Sequence, residues 1–140
     1  MTDRILPITP SMTYGQMRMA VSQNTDIWVY SRHLPDPRMG CYDEDTQTIA
    51  IDIDLKYVQK RCTLVHELMH WKHGDQSCPG IASSKIERRA RKDTALYLID
   101  PMEYATLEGM YEGNKYKIAS ELNLTVQVVE DYMQMLHDRG

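Results

Sequence analysis

The chain has 140 residues, 42% of them hydrophobic and 26% charged, with a formal net charge of −4. These proportions are globular rather than disordered, and the length suits one domain with one core. The acidic balance disfavours broad binding to nucleic acid or anionic membranes, leaving at most a local basic patch.

Phe is absent, and 10 Met and 9 Tyr take up much of the bulky apolar work. No apolar run approaches the ~20 residues that cross a bilayer. Met1–Pro7 lacks the apolar stretch of a secretory signal, so a soluble cytoplasmic protein is expected. Cys41, Cys62 and Cys78 are odd in number and lack C-x-x-C spacing, which reads as reduced thiols rather than a disulfide framework.

Residues 1–10 are punctuated by proline and read as irregular. Thr9-Pro10 has the form of an N-cap followed by N1, predicting a helix to about Gln23 that Gly15 weakens. Ile27-Trp28-Val29-Tyr30 is β-branched and aromatic and reads as a strand, ended by Pro35 and Pro37. Gly40-Cys41-Tyr42 reads as a short strand before a polar turn at Asp43-Glu44-Asp45. Thr48–Ile53 alternates, putting Ile49, Ile51 and Ile53 on one face. Together these predict a small antiparallel sheet, half covered.

Asp54 reads as N-cap of the next helix. Leu55, Val58, Cys62, Val65 and Met69 recur at helical spacing, and Tyr57, Leu64, Leu68 and Trp71 form a second stripe. A helix apolar on two sides is a buried helix. In its middle stands His66-Glu67-Leu68-Met69-His70, a His-Glu-x-x-His pattern. Residues i and i+4 share a helix face, so two imidazoles can take two corners of a tetrahedral zinc site. The intervening Glu67 then reaches the site's edge, where a carboxylate acts as general base. Buried histidines and a buried glutamate must be satisfied by something, which argues for a metal over solvated side chains or a metal-free hydrogen-bond network.

The helix is expected to stop at His73-Gly74, followed by a loop over 75–82 and a helix from about Ser84 to Ile99. If the site has a third ligand, that second helix is the element expected to deliver it. Glu87 is placed for it, with the small Ala90 and Thr94 on the same face permitting close approach to the His helix. Ser84-x-x-Glu87 is equally a capping box, so both roles stand open for Glu87. His73, Asp75 and Cys78 are the alternative ligands. The basic run Lys85, Arg88, Arg89, Arg91 and Lys92 reads as a solvated face, or else as a docking patch for an acidic partner.

Asp100-Pro101-Met102-Glu103 opens another helix with a cap, N1 proline and capping box, ending near Gly113-Asn114. A short helix, Lys117–Leu122, closes on Asn123 in the left-handed conformation. Thr125 caps a last helix with Val129, Tyr132, Met133 and Leu136 inward, and Leu124 against Val129 as a hydrophobic staple. The pair looks like a helix-turn-helix. Residues 126–136 carry no Arg or Lys for phosphate or guanine, so no direct nucleic-acid binding is expected, and a structural or partner-binding role is favoured.

Short strands, the helix with Val65-His66-Glu67-Leu68-Met69-His70-Trp71, Glu87-Arg88-Arg89-Ala90 and the closing Ile118–Leu122 segment together resemble the ImmA/IrrE family of zinc metallo-endopeptidases. Small phage and mobile-element members are the nearest in character. The similarity covers residues 27–100 and, more loosely, 113–137. It implies Zn2+ held by His66, His70 and Glu87 in a gluzincin-like arrangement, with Glu67 as general base. It also implies a protein substrate, a cognate helix-turn-helix repressor whose cleavage derepresses a phage, mobile element or stress response, in the host cytoplasm if phage-encoded. Arg88-Arg89 stands where the family often has a second acidic residue.

The expected architecture is α+β, with a small antiparallel sheet packed on a central zincin-like helix. Residues 1–112 would form the core, and 113–140 a helix-turn-helix-like segment packed on the same domain. A general base and three ligands predict hydrolysis. Tyr97, Tyr104, Tyr111 and His73 are the candidates for stabilising an oxyanion. The rival reading is a non-catalytic partner-binding module in which a degenerate zinc site only stabilises the fold.

Overall fold

The computed structural model describes residues 4–78 and 83–139, so the part of the expected loop at 79–82 lies outside the described residues. Six helices and a three-stranded sheet follow in the order α1 (Tyr14–Asn24), β1 (Trp28–Arg32), β2 (Gly40–Asp43), β3 (Thr48–Asp52), α2 (Tyr57–His73), α3 (Ser84–Leu98), α4 (Pro101–Tyr111), α5 (Lys115–Leu122) and α6 (Val126–Arg139). The α+β class is therefore observed. No helix among the described residues is long and apolar enough to cross a membrane.

The sheet is mixed, not antiparallel as expected. Its order is β1-β3-β2, with β1 parallel to β3 and β2 antiparallel to it. The reason lies in β3, whose Ile49, Ala50 and Ile51 are all at most 1% exposed. A strand buried on both faces belongs in the middle of a sheet, so β3 inserts between its two predecessors. Val29, Tyr42, Ile49 and Ile51 join the main core, whereas Tyr30, Cys41 and Ala50 face the other side under Leu34 and Cys78. Ile53 falls outside the strand and is exposed.

α2 is the axis of the molecule. Cys62, Leu64, Val65, Leu68, Met69 and Trp71 are buried, as the double stripe predicts, while Tyr57 of that stripe is exposed. Lys56, not Asp54, is its N-cap, and Asp54 instead meets the His33 ring nitrogen Nδ1 at 3.0 Å. Gly74 ends the helix at φ 69°, the left-handed geometry expected at His73-Gly74.

Arg61 on α2 is buried, and its guanidinium donates to the carbonyls of Met12, Pro10 and Asn123. That demand explains why no helix starts at Thr9-Pro10. Residues 9–12 form a turn that offers its carbonyls to Arg61, and α1 begins later with a Thr13–Gln16 capping box. The same guanidinium ties α2 to the α5–α6 turn.

At Gly40, β2 lies close against α2. A Cβ there would lie 2.6 Å from Thr63 Cγ2, 3.0 Å from the Ala50 carbonyl oxygen and 3.4 Å from Glu67 Cγ. A methyl fits only if the Thr63 side chain and the neighbouring strand give way. Gly40→Ala is accordingly expected to destabilise the fold by about 1–3 kcal/mol, read as a lower midpoint in urea denaturation.

Cys41 and Cys78 are joined by a disulfide, and Cys62 is free and buried. This corrects the expectation of three reduced thiols, because strand pairing brings together two residues whose sequence spacing carries no signal. It also removes the cysteine argument for a reducing compartment.

α5 and α6 turn about Asn123 at φ 55°, as expected, and the Thr125 hydroxyl accepts from Val128 N. α6 packs on α3, where Arg91 donates to Asp131 at 2.5 Å. The first turn of α6 lines a groove beside α2.

Candidate metal centre

His66 and His70 sit one turn apart on α2, and α3 lies across them. α3 can approach because Ala90 and Thr94, both buried, present little bulk, with the Thr94 hydroxyl turned back onto the Ala90 carbonyl. Glu87 is thereby delivered to both rings: its Oε2 lies 3.0 Å from His66 Nε2 and its Oε1 2.8 Å from His70 Nε2. One ligand atom from each of His66, His70 and Glu87 falls within 4.8 Å of the others, a group able to hold a metal ion. Glu87 does not cap α3. Ser83 is the N-cap, its hydroxyl accepting from Ile86 N at 3.2 Å, so the capping-box role left open for Ser84 and Glu87 is not taken.

The alternative ligands are engaged elsewhere. His73 Nε2 is 3.1 Å from Asp93, Cys78 is in the disulfide, and Asp75 stands behind His70, with Oδ2 3.0 Å from Nδ1. An ionised carboxylate only accepts, so His70 Nδ1 carries a proton and Nε2 is the nitrogen presented to the site. Arg89 completes this support, donating to both Asp75 oxygens at 2.6 and 2.7 Å. Lys85, Arg88, Arg89, Arg91 and Lys92 are all exposed, as expected of a solvated face, and Arg89 and Arg91 in addition have carboxylate partners. The arginine at 89 is what steadies the carboxylate behind His70.

The charges follow from these contacts. Hydrogen bonds from His66 and then His70 hold Glu87 far below the usual carboxylate range. Burial works against a charge on His70, yet Glu87, Glu67 and Asp75 together raise its pKa. Burial likewise opposes ionisation of Asp75, and Arg89 and His70 overcome it, leaving Asp75 below its ordinary value. Both ring nitrogens of His70 face carboxylates, an arrangement that favours its protonated form when no metal is bound. A metal would take the place of its Nε2 proton. Metal affinity is therefore expected to fall as pH drops below the raised pKa of His70 and to level off above it. Competition with a chromophoric chelator at several pH values checks this.

Asp75→Asn should leave His70 in place but loosen its tautomer and orientation. Loss of such a supporting carboxylate typically weakens metal affinity ~10–100-fold, measurable by the same competition.

Glu67 lies on α2 between the two histidines and is buried. Burial pushes its carboxyl up, against the pull of His66, His70 and the Ser77 hydroxyl. Ser77 Oγ donates to Glu67 Oε1 at 2.9 Å. His66, Glu67 and Glu87 all line a groove of about 1150 Å³, whose other lining comes from residues 35–40, the start of α2 and the α5–α6 turn. None of the residues considered for an oxyanion faces it. Tyr97 donates to the Ile8 carbonyl, Tyr104 packs on Tyr132, Tyr111 donates to Glu121 and His73 meets Asp93.

A second group, His33, Asp52 and Asp54, also converges, but His33 and Asp54 are exposed and Asp52 already accepts from Leu34 N. Asp75, Arg89, Ser77 and Gly40 act at the site without having been singled out for these roles by spacing. Asp75 alone had a sequence signal, as a carboxylate just past the histidine helix. Comparison with family models, with curated proteins and with solved structures finds no match for this chain.

Proposed function

We propose that the chain is a zinc-dependent endopeptidase of the ImmA/IrrE kind. The observation that carries the reading is the convergence of His66 Nε2, His70 Nε2 and the Glu87 carboxylate beside a buried Glu67 that opens on a groove. Two imidazoles and one carboxylate are the donor set of catalytic zinc sites with three protein ligands and an open position. The protein donors meet that requirement: two imidazole Nε2 atoms and one carboxylate converge, and Asp75 with Arg89 already supports the His70 ring. Zinc bound there would supply Lewis acidity and a nucleophile at neutral pH.

The chain's own residues do the rest. Glu67 holds Ser77 through Oε1, leaving Oε2 to accept a proton and return it to a leaving amine. The groove, lined by the loop at residues 35–39, Gly40 and the α5–α6 turn, seats an extended segment of a protein substrate. α6 contributes to that wall, which supports a substrate-docking role for the C-terminal helices over reading DNA.

The resemblance supplies the substrate class, a helix-turn-helix repressor. It also implies action in the cytoplasm, the host's if phage-encoded. The test is incubation of zinc-loaded protein with candidate repressors and with a peptide mixture, followed by mass spectrometry. Zinc-dependent, chelator-sensitive cleavage at defined bonds is expected. Binding of a repressor with no bond broken would favour the non-catalytic module.

A further inference from the structure

Ser77 lies in the short segment between α2 and α3, where nothing in its local sequence distinguishes it. Its side chain is buried and serves two elements. Tyr42 N, on the outer edge of β2, donates to Ser77 Oγ at 2.6 Å. That contact fixes where the hydroxyl proton goes. With its oxygen already accepting, Ser77 can donate to the Tyr42 carbonyl at 3.5 Å or to Glu67 Oε1 at 2.9 Å, and the shorter contact wins.

The backbone locks the residue there as well, since Ser77 N and Cys78 N both donate to the Tyr42 carbonyl, at 2.9 and 3.0 Å. The Cys41–Cys78 disulfide then ties the residues next to Tyr42 and Ser77 to each other covalently. Strand edge, hydroxyl and bridge form one clamp that ends on a single carboxylate oxygen.

The geometry points to Ser77 as the positioning residue for Glu67, held in register by the Cys41–Cys78 bridge. This rests on the peptidase reading. Glu67 is buried beside Gly40, and a carboxylate with one oxygen fixed presents the other to the groove in one orientation. Without the hydroxyl the carboxylate keeps its place on α2 and loses that orientation. The expected loss is therefore in turnover, not in substrate binding.

The experiment compares zinc-loaded parent, Ser77→Ala, Ser77→Thr and Cys78→Ala for zinc content and for kcat and KM on a cleaved peptide. A urea-denaturation cycle of Ser77→Ala with Glu67→Ala, which removes the acceptor, adds a readout independent of activity. The proposal expects Ser77→Ala to keep one zinc and an unchanged KM while kcat falls roughly 10–100-fold. It expects Ser77→Thr to restore most of the rate and Cys78→Ala to lower kcat in the same sense. In the urea cycle the two destabilisations are expected to be non-additive.

Parent-like turnover in Ser77→Ala, or additive destabilisations, overturns the positioning role and leaves the peptidase reading intact. Should Ser77→Ala fail to fold, Cys78→Ala decides, and its parent-like kcat overturns the proposal. A zinc-loaded parent that cleaves nothing overturns both, through the parent and not the variants.

Discussion

Glu67→Gln is expected to lower hydrolysis by about 10²–10⁴-fold, the range for removing a positioned general base. The amide keeps the size of the carboxylate, and its carbonyl can still accept from the Ser77 hydroxyl, so the fold and the clamp on β2 persist. None of the three converging ligand atoms belongs to Glu67, so zinc content stays at the parent level. Substrate binding in the groove should also survive. Residual cleavage at the parent rate would show that the proton is taken elsewhere and would sink the mechanism. The check is initial rate against zinc content on the same preparation.

His70→Ala should have the largest combined effect on metal and stability. Its side chain is fully buried between Asp75 and Glu87, whereas Glu87 is partly exposed. Removing the ring takes one metal ligand away and leaves Asp75 leaning on Arg89 alone, a cost of about 1–3 kcal/mol for the unmet hydrogen bond. In zinc the gap widens, because the parent gains ~4 kcal/mol at a thousandfold excess over Kd and the variant does not. The expected pattern is a modest drop in urea midpoint without zinc and a much larger one with it. His73→Ala is the control. Its ring meets Asp93, so zinc content and the zinc-dependent shift should not change. Equal destabilisation of His70→Ala with and without zinc would mean that the histidine is only structural.

The site's core was legible because helix periodicity alone puts His66 and His70 on one face and Glu67 beside them. The buried character of α2 was legible for the same reason, from two apolar stripes. Glu87 was harder, since a carboxylate in a helix's first turn is as often a cap, and the choice turns on a one-residue shift of the cap from Ser84 to Ser83.

The helical C-terminus, with Asn123 left-handed and Thr125 capping, followed from local turn chemistry. What local patterns do not carry is pairing between distant segments. The insertion of β3 between β1 and β2, the Cys41–Cys78 bridge, the hold of Arg61 on residues 10–12 and the reach of Ser77 to Glu67 all depend on which strands and loops meet. Arg89 is the instructive case. Read along the chain it is one of a run of surface cations, and only the fold sets it against Asp75.

The most direct measurement is the zinc content of the purified protein beside His66→Ala and Glu87→Ala. The account predicts about one zinc per chain in the parent and loss in both variants, as a three-ligand site requires. No zinc in the parent after reconstitution, or full zinc in Glu87→Ala, would contradict it.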